Sequence, residues 1–225
     1  MTSKQRNKRR SNALAEPVTE TQGAKDRIMG AAAKLFAGHG YAATSVAQIA
    51  DAADANRALL YYYFKDKRDL YRSIMERGLE LVIDLIGQAG RAPGTPWERL
   101  ERFVQQYYEL LMSQPDVARM ILREMSGIGE HPGLPIDRHV RQVIAGMRAI
   151  IADGLDNGDL HGVDAELTTF SLFGMIHVFF TQRLATGRGF PTAVVVAHTL
   201  RLFGDGARTA APAPDVNRAI AKRSR

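Results

Sequence analysis

Apolar residues recur at helical spacing along most of this chain, and that periodicity limits the folds open to it. Ile28, Ala32, Leu35 and Phe36 stand at i, i+4, i+7 and i+8, which places them on one face of a helix. Further helical stretches follow, separated by glycine, proline or helix-capping residues, and the alternation of a β-strand is nowhere sustained. The pattern predicts an all-α fold with a head of three short helices and a helical-bundle body of about six helices.

The predicted helices divide the chain into four segments. Residues 1–22 are polar and aperiodic and predict a disordered basic arm, and residues 23–66 hold the three short helices. Residues 67–208 form the predicted body, and residues 209–225 form a flexible tail. The predicted N-terminal caps are Thr44 or Ser45, then Asn56, Thr95 and Asp164.

The positive charge of the chain is concentrated at its N-terminal end. Residues 1–77 hold 14 Lys and Arg against 8 Asp and Glu, whereas residues 78–225 hold 16 of each kind. A basic head on a neutral body is typical of a protein that binds a polyanion such as nucleic acid. A basic tail kept for solubility is the alternative, because five of the basic residues lie in the predicted arm.

Composition also excludes some classes of protein. The chain has no cysteine, which rules out disulfides and thiolate metal sites and favours a reducing compartment. Its most apolar stretch, 170–180, is too short for a transmembrane helix, and the N-terminus lacks the apolar region of a secretory signal. We therefore expect a cytoplasmic protein that has no membrane contact and no cofactor.

Three short helices with a tight turn between the second and third predict a helix-turn-helix unit, whose last helix enters the major groove of DNA. An ordinary small helical bundle is the alternative. The third helix carries three consecutive tyrosines, and because each residue of a helix turns by ~100°, at least one must face solvent. Lys67 would lie in the first turn of the fourth helix, where unpaired backbone N–H groups already favour an anion.

The stretch SVAQIADAADANRALLYYYFKDKRDLY, 45–71, resembles the DNA-binding head of the TetR-type repressors. The specific part is Leu60-Tyr61-x-x-Phe64-x-x-Lys67, and the resemblance covers about Lys25 to Ile74. It implies phosphate contacts by Thr44, Tyr61, Tyr63 and Lys67, with Lys25 and Arg27 near the backbone. It also implies base contacts by Arg57, Ala58 and Leu59, and Ser45, Asn56 and Tyr62 complete the predicted DNA-binding set.

Arg57 is the residue expected to select sequence, through a bidentate contact to guanine, with a phosphate contact as the alternative. Ala58 and Leu59 can pack only against thymine methyl groups. We expect Ala55, Leu60 and Phe64 to be buried. The family has glycine where this chain has Asp54, a residue that tolerates the left-handed backbone better than most.

The resemblance implies that the last two helices pair with those of a second copy, giving a homodimer for a palindromic operator with two half-sites. The eighth helix is apolar almost all round, which predicts burial on several sides. A ligand cavity is expected among helices four to eight, and it would take an apolar or aromatic effector. Its candidate lining is Tyr107, Tyr108, Leu111, Ile121, Met125, Met147, Phe170, Phe173 and His177, although an aromatic or Met residue at helical spacing is more often part of a core.

The function predicted from these features is a sequence-specific repressor that its ligand releases from the operator. The alternatives are a regulator that needs a co-repressor or no ligand, and a helical enzyme. Glu130, His131, Asp137 and His139 can act as metal ligands or acid–base groups, but they surround a Gly- and Pro-rich loop and have no recognised spacing. No catalytic motif is present, so an enzyme is not predicted.

Overall fold

A computed structural model describes residues 16–126 and 137–207, with side chains from 23–126 and 137–206. That part of the chain contains helices and no strand, which confirms the all-α prediction. The helices are α1 (Glu16–His39), α2 (Val46–Ala52), α3 (Arg57–Tyr63), α4 (Lys67–Arg91), α5 (Pro96–Ser113), α6 (Pro115–Met125), α7 (Asp137–Asp156), α8 (Ala165–Thr186) and α9 (Thr192–Ala207).

The helices begin where the local sequence provides caps. Ser45, rather than Thr44, caps α2, and Asn56 caps α3. Thr95 caps α5 and Asp164 caps α8, each through a side-chain oxygen that accepts from backbone N–H groups of the first turn. The four predicted starts are therefore confirmed. The first helix differs, because it begins at Glu16, inside the stretch predicted as an arm.

The described residues fall into two compact units, 16–75 with 119–126 and 76–118 with 137–207. In the first unit, α1 packs against α2 and α3, and α2 also packs against α3. Ile28, Phe36, Ile49 and Leu60 form the centre of its core. The short helices depend on this shared core, because isolated helices of their length are marginal in water.

In the second unit, α5 packs against α7, α8 and α9, and α8 also packs against α7 and α9. Leu100, Phe103, Met147 and Phe180 are fully buried among these helices. Gly146 allows α7 to lie close to α4, because a Cβ atom there would overlap the Ile86 side chain.

Candidate DNA interface and ligand site

The second and third helices of the first unit begin at side-chain caps, and the cap of α2 is reciprocal. The Ser45 Oγ accepts from the Gln48 N–H at 3.2 Å, and the Gln48 side chain accepts from the Ser45 N–H at 2.8 Å. The Asn56 Oδ1 accepts from the Leu59 N–H at 2.7 Å. Caps of this kind stabilise a helix by ~1 kcal/mol each, so the side-chain oxygens of two predicted DNA-contact residues already serve the fold.

The turn between these helices uses the left-handed backbone. Asp54 has a φ of 49°, a conformation that glycine adopts most easily and that Asp tolerates. The Ala55 N–H donates to the Ala50 carbonyl at 2.9 Å across the turn. Asp54, which stands where the family has glycine, therefore adopts the left-handed backbone of the turn.

Helix α3 has one buried edge and one exposed face. Leu60 and Phe64 are buried as predicted, whereas Ala55 keeps partial exposure because it lies in the turn before the helix. Tyr61 is 53% exposed and Tyr62 is 74% exposed, which confirms that at least one of the three tyrosines faces solvent. Of the other predicted DNA-contact residues of α3, Arg57 and Ala58 are exposed, and Leu59 and Tyr63 are partly exposed.

The ammonium group of Lys67 is bonded to the loop before α2. Its Nζ donates to the carbonyl oxygens of Tyr41 at 2.9 Å and Thr44 at 2.8 Å, and lies 4.1 Å from the centre of the Tyr41 ring. A lysine has three N–H donors, so these bonds leave one for a phosphate. Lys67 therefore joins the start of α4 to the loop between α1 and α2.

Thr44, a predicted phosphate contact, is 1% exposed. Its Oγ1 donates to the Gly40 carbonyl at 2.8 Å, and its N–H donates to the Tyr41 carbonyl at 3.2 Å. Both of its donors are thus used inside the loop. Lys25 is partly buried with its Nζ 5.8 Å from the Phe64 ring centre, and Arg27 is exposed on the same helix.

Tyr41 is a residue of this site that the sequence did not indicate. Its ring stacks on Phe36 at 5.6 Å and meets the edge of Tyr71 at 5.2 Å. Burial and the nearby Asp66 carboxylate raise the pKa of the Tyr41 phenol, and Arg68 opposes them. Tyr41 lies in a loop, where helical periodicity carries no information. Its position directly after Gly40 is the one sequence signal that could have placed it at the end of α1, close to the predicted DNA-binding helices.

The second unit contains a cluster of rings between α5 and α8. Tyr107 stacks on Phe103 at 5.4 Å, and Phe173 meets the Tyr107 ring edge-on at 5.5 Å. The Tyr107 hydroxyl lies 2.6 Å from the Nε2 of His177, whose ring stacks on Phe173 at 5.9 Å. Burial lowers the pKa of His177 to about 4 and raises the pKa of Tyr107, so both groups are neutral at pH 7.

The other predicted ligand residues are distributed differently. Tyr108, Leu111 and Met147 are buried in the second unit, whereas Phe170 is 54% exposed. Ile121 and Met125 belong to the first unit, where Ile121 is partly buried and Met125 is exposed. Among the predicted ligand residues, Tyr107, Phe173 and His177 contact one another directly.

An open groove of about 1000 Å³ lies between α5 and α9. Trp97, Val196 and Leu200 contribute apolar surface, and Glu101 and Arg102 lie among its polar residues. None of the predicted ligand residues lines it.

Helices α8 and α9 expose large apolar side chains in the single chain. Leu167, Phe170 and Val178 stand at i, i+3 and i+11, which keeps them on one side of α8. On α9, Val194 and Leu202 are also exposed. The predicted burial of α8 on several sides is thus incomplete within one chain.

Two of the four residues considered for a metal or acid–base site lie within the described part of the chain. His139 is buried and Asp137 is exposed on α7, whereas Glu130 and His131 lie outside the described residues. In the part of the chain that the structure describes, no three metal-binding side chains come together, and no helix is long and apolar enough to cross a bilayer.

Two protein-family models and several known proteins match this chain. The family model described as "Bacterial regulatory proteins, tetR family" matches residues 28–74, and "Tetracyclin repressor-like, C-terminal domain" matches residues 93–181. The fatty acid metabolism regulator protein of Bacillus subtilis is 22% identical over 80% of this chain and 93% of its own length.

Two solved structures share the fold. The TetR family regulator PfmR from Thermus thermophilus has a TM-score of 0.69 and 24% identity, covering 80% of this chain and 98% of its own. The regulator FadR from Bacillus subtilis, in complex with stearoyl-CoA, has a TM-score of 0.68 and 22% identity, covering 80% and 97%.

A helix-turn-helix head and an all-helical body, each matched by its own family model, define a DNA-binding transcriptional regulator rather than an enzyme. The chain belongs to the TetR family. Its partners are those of the family: double-stranded operator DNA, a small-molecule ligand and a second copy of the chain.

Proposed function

We propose that this chain is a homodimeric repressor that a fatty-acyl thioester releases from its operator, and that it acts in the cytoplasm. The DNA-binding part of the proposal rests on α3, which has one buried edge and one exposed face. Leu60 anchors the helix in the core, while Arg57, Ala58, Tyr61 and Tyr62 face solvent together. A helix exposed in this way can enter the major groove with its first residues against base edges.

The roles within the head follow from exposure and donor chemistry. Arg57 is the proposed base reader, because an exposed guanidinium can contact guanine O6 and N7 together. The exposed Tyr61 and Tyr62 can donate to phosphates, as can Lys25, Arg27 and the remaining N–H of Lys67. These groups position the helix without selecting sequence.

The exposed apolar stripe of α8 and α9 supports dimerisation. Phe170 and Val178 on α8 and Val194 on α9 are each more than half exposed in the single chain. Gly174 lies between the first two, and a Cβ atom there would meet nothing within 4 Å. A second copy can cover this surface, and two recognition helices spaced by ~34 Å then read two half-sites.

The proposed ligand class rests on the relatives and on the cluster between α5 and α8. One relative is named as a fatty acid metabolism regulator, and one solved neighbour holds stearoyl-CoA. In this chain, Phe103, Tyr107 and Phe173 form a buried aromatic cluster with His177 as its polar side chain. A pocket that opens against these residues suits a largely apolar ligand with few polar groups.

Release follows from linkage between the two binding events. If the ligand prefers the off-DNA form by 100-fold, the coupling is ~2.7 kcal/mol, and operator DNA must weaken ligand binding by the same factor. The test measures stearoyl-CoA affinity by calorimetry with and without an operator duplex selected from random DNA. We expect weaker binding with the duplex. Equal affinities would contradict ligand-driven release, and tighter binding would show a co-repressor.

A further inference from the structure

The pair formed by Tyr107 and His177 has a defined proton arrangement. Both groups are neutral at pH 7, and 2.6 Å separates the Tyr107 oxygen from the His177 Nε2. One hydrogen therefore lies between them, supplied either by the phenol or by the ring.

The number of acceptors decides between these two sources. If the ring supplied the hydrogen, the buried Tyr107 hydroxyl would need a second acceptor for its own proton, and the described residues provide none. A buried donor without an acceptor has lost its hydrogen bond to water with nothing in its place, which is unfavourable. The phenol therefore donates to Nε2, and the imidazole proton is on Nδ1.

This tautomer gives the aromatic cluster one donor that has no acceptor among the described residues. His177 is only partly buried, whereas Tyr107 and Phe173 are buried, and Nδ1 has no hydrogen-bond partner among the described residues. The rings that contact His177 are uncharged. A ligand group that meets His177 therefore finds a neutral hydrogen-bond donor beside aromatic surface.

We infer that the Nδ1–H of His177 donates to the carbonyl oxygen of the ligand, and that this contact selects a thioester or ester over a free carboxylate. The inference rests on the proposed function, since it requires that an acyl ligand bind the body. A carbonyl oxygen can accept this hydrogen bond and brings no charge. A carboxylate would lose its hydration beside neutral rings, and an unpaired buried charge costs far more than an unpaired neutral group.

The carbonyl contact is tested with stearoyl-CoA and its thioether analogue S-octadecyl-CoA, which lacks the carbonyl oxygen. A neutral hydrogen bond contributes about 0.5–1.5 kcal/mol, so we expect the wild type to prefer the thioester by about 2–10-fold. His177→Leu should bind both compounds equally. His177→Gln, which can still accept from Tyr107 and donate to the ligand, should keep part of the preference. His161→Leu, at an exposed histidine outside the cluster, should keep all of it.

The charge selection is tested with methyl decanoate and decanoate at pH 7.5, two compounds that differ in charge but carry no CoA. We expect the ester to bind at least about tenfold more tightly to the wild type. Equal binding of the two, or a thioester preference that survives in His177→Leu, would overturn the inference while leaving release by acyl-CoA intact. Failure of every acyl compound to bind would overturn both, whereas failure of release alone would affect only the proposed function.

Discussion

Replacement of Lys67 by methionine should destabilise the head, because the ammonium group holds the loop before α2 to the start of α4. The lost contacts are the two hydrogen bonds to the Tyr41 and Thr44 carbonyls, at 2.9 and 2.8 Å, and the cation–π contact with the Tyr41 ring. Methionine retains much of the length of the side chain, so the change removes the donors with little loss of volume.

The size of the effect follows from these contacts. A hydrogen bond from a charged donor contributes ~1.5–3 kcal/mol, and a cation–π contact at an exposed site adds ~0.5–1 kcal/mol. Lys67 is partly exposed, so water can replace some of these interactions. We expect the free energy of unfolding to fall by about 2–4 kcal/mol, which corresponds to a Tm lower by roughly 5–15 °C in a chain of this size.

Lys65→Met is the matched control, because Lys65 carries the same charge two residues earlier and its side chain is exposed. Denaturant unfolding of both variants should show a loss for Lys67→Met and a change within about 0.5 kcal/mol for Lys65→Met. Equal stability of the two variants would refute the proposed link between α4 and the loop. The salt dependence of operator affinity tests the proposed phosphate contact of Lys67 separately from its role in stability. Loss of that contact should reduce the slope of log K against log salt by about one per half-site.

Four further changes test the remaining contacts. Arg57→Ala should relax base preference at one position of each half-site by ~1–3 kcal/mol in selection from random DNA, and an unchanged consensus would make Arg57 a phosphate contact only. Val178→Glu should give monomers in sedimentation and weaken operator binding, whereas Ala149→Glu, on the exposed face of α7, should leave the dimer intact. Asp54→Gly should raise the free energy of unfolding by up to ~1 kcal/mol because φ is 49° there, and a loss would show that the Asp side chain stabilises the turn. Since the pKa of His177 is lowered to about 4, the unfolded state binds the extra proton first, so wild type should lose stability relative to His177→Gln as pH falls from about 6.5 towards 4, and parallel melting profiles would count against this.

Local sequence was sufficient for the helix starts because capping involves residues within one turn. The Ser45, Asn56, Thr95 and Asp164 caps are each formed with a backbone N–H two or three residues further on. The left-handed turn at Asp54 is local in the same sense. These features require no knowledge of what packs against them.

Contacts between distant parts of the chain could not be predicted in this way. The bonds from Lys67 to Tyr41 and Thr44 join residues 26 and 23 positions apart, and the pair Tyr107–His177 is 70 positions apart. The exposure of Phe170 was missed for another reason. Helix α8 is apolar on every side, so its pattern does not distinguish the face that packs within the chain from the face left open.

Some residues of the family pattern stabilise the fold of the head, and others are proposed to contact DNA. Of the pattern Leu60-Tyr61-x-x-Phe64-x-x-Lys67, the first and third residues are core, and the last uses two of its three donors inside the head. Only Tyr61 is fully available at the surface. The base-reading residues proposed here, Arg57 and its neighbours, precede the pattern. Resemblance in these positions therefore reports mainly on the folding of the head, while the proposed choice of operator depends on residues that the pattern does not constrain.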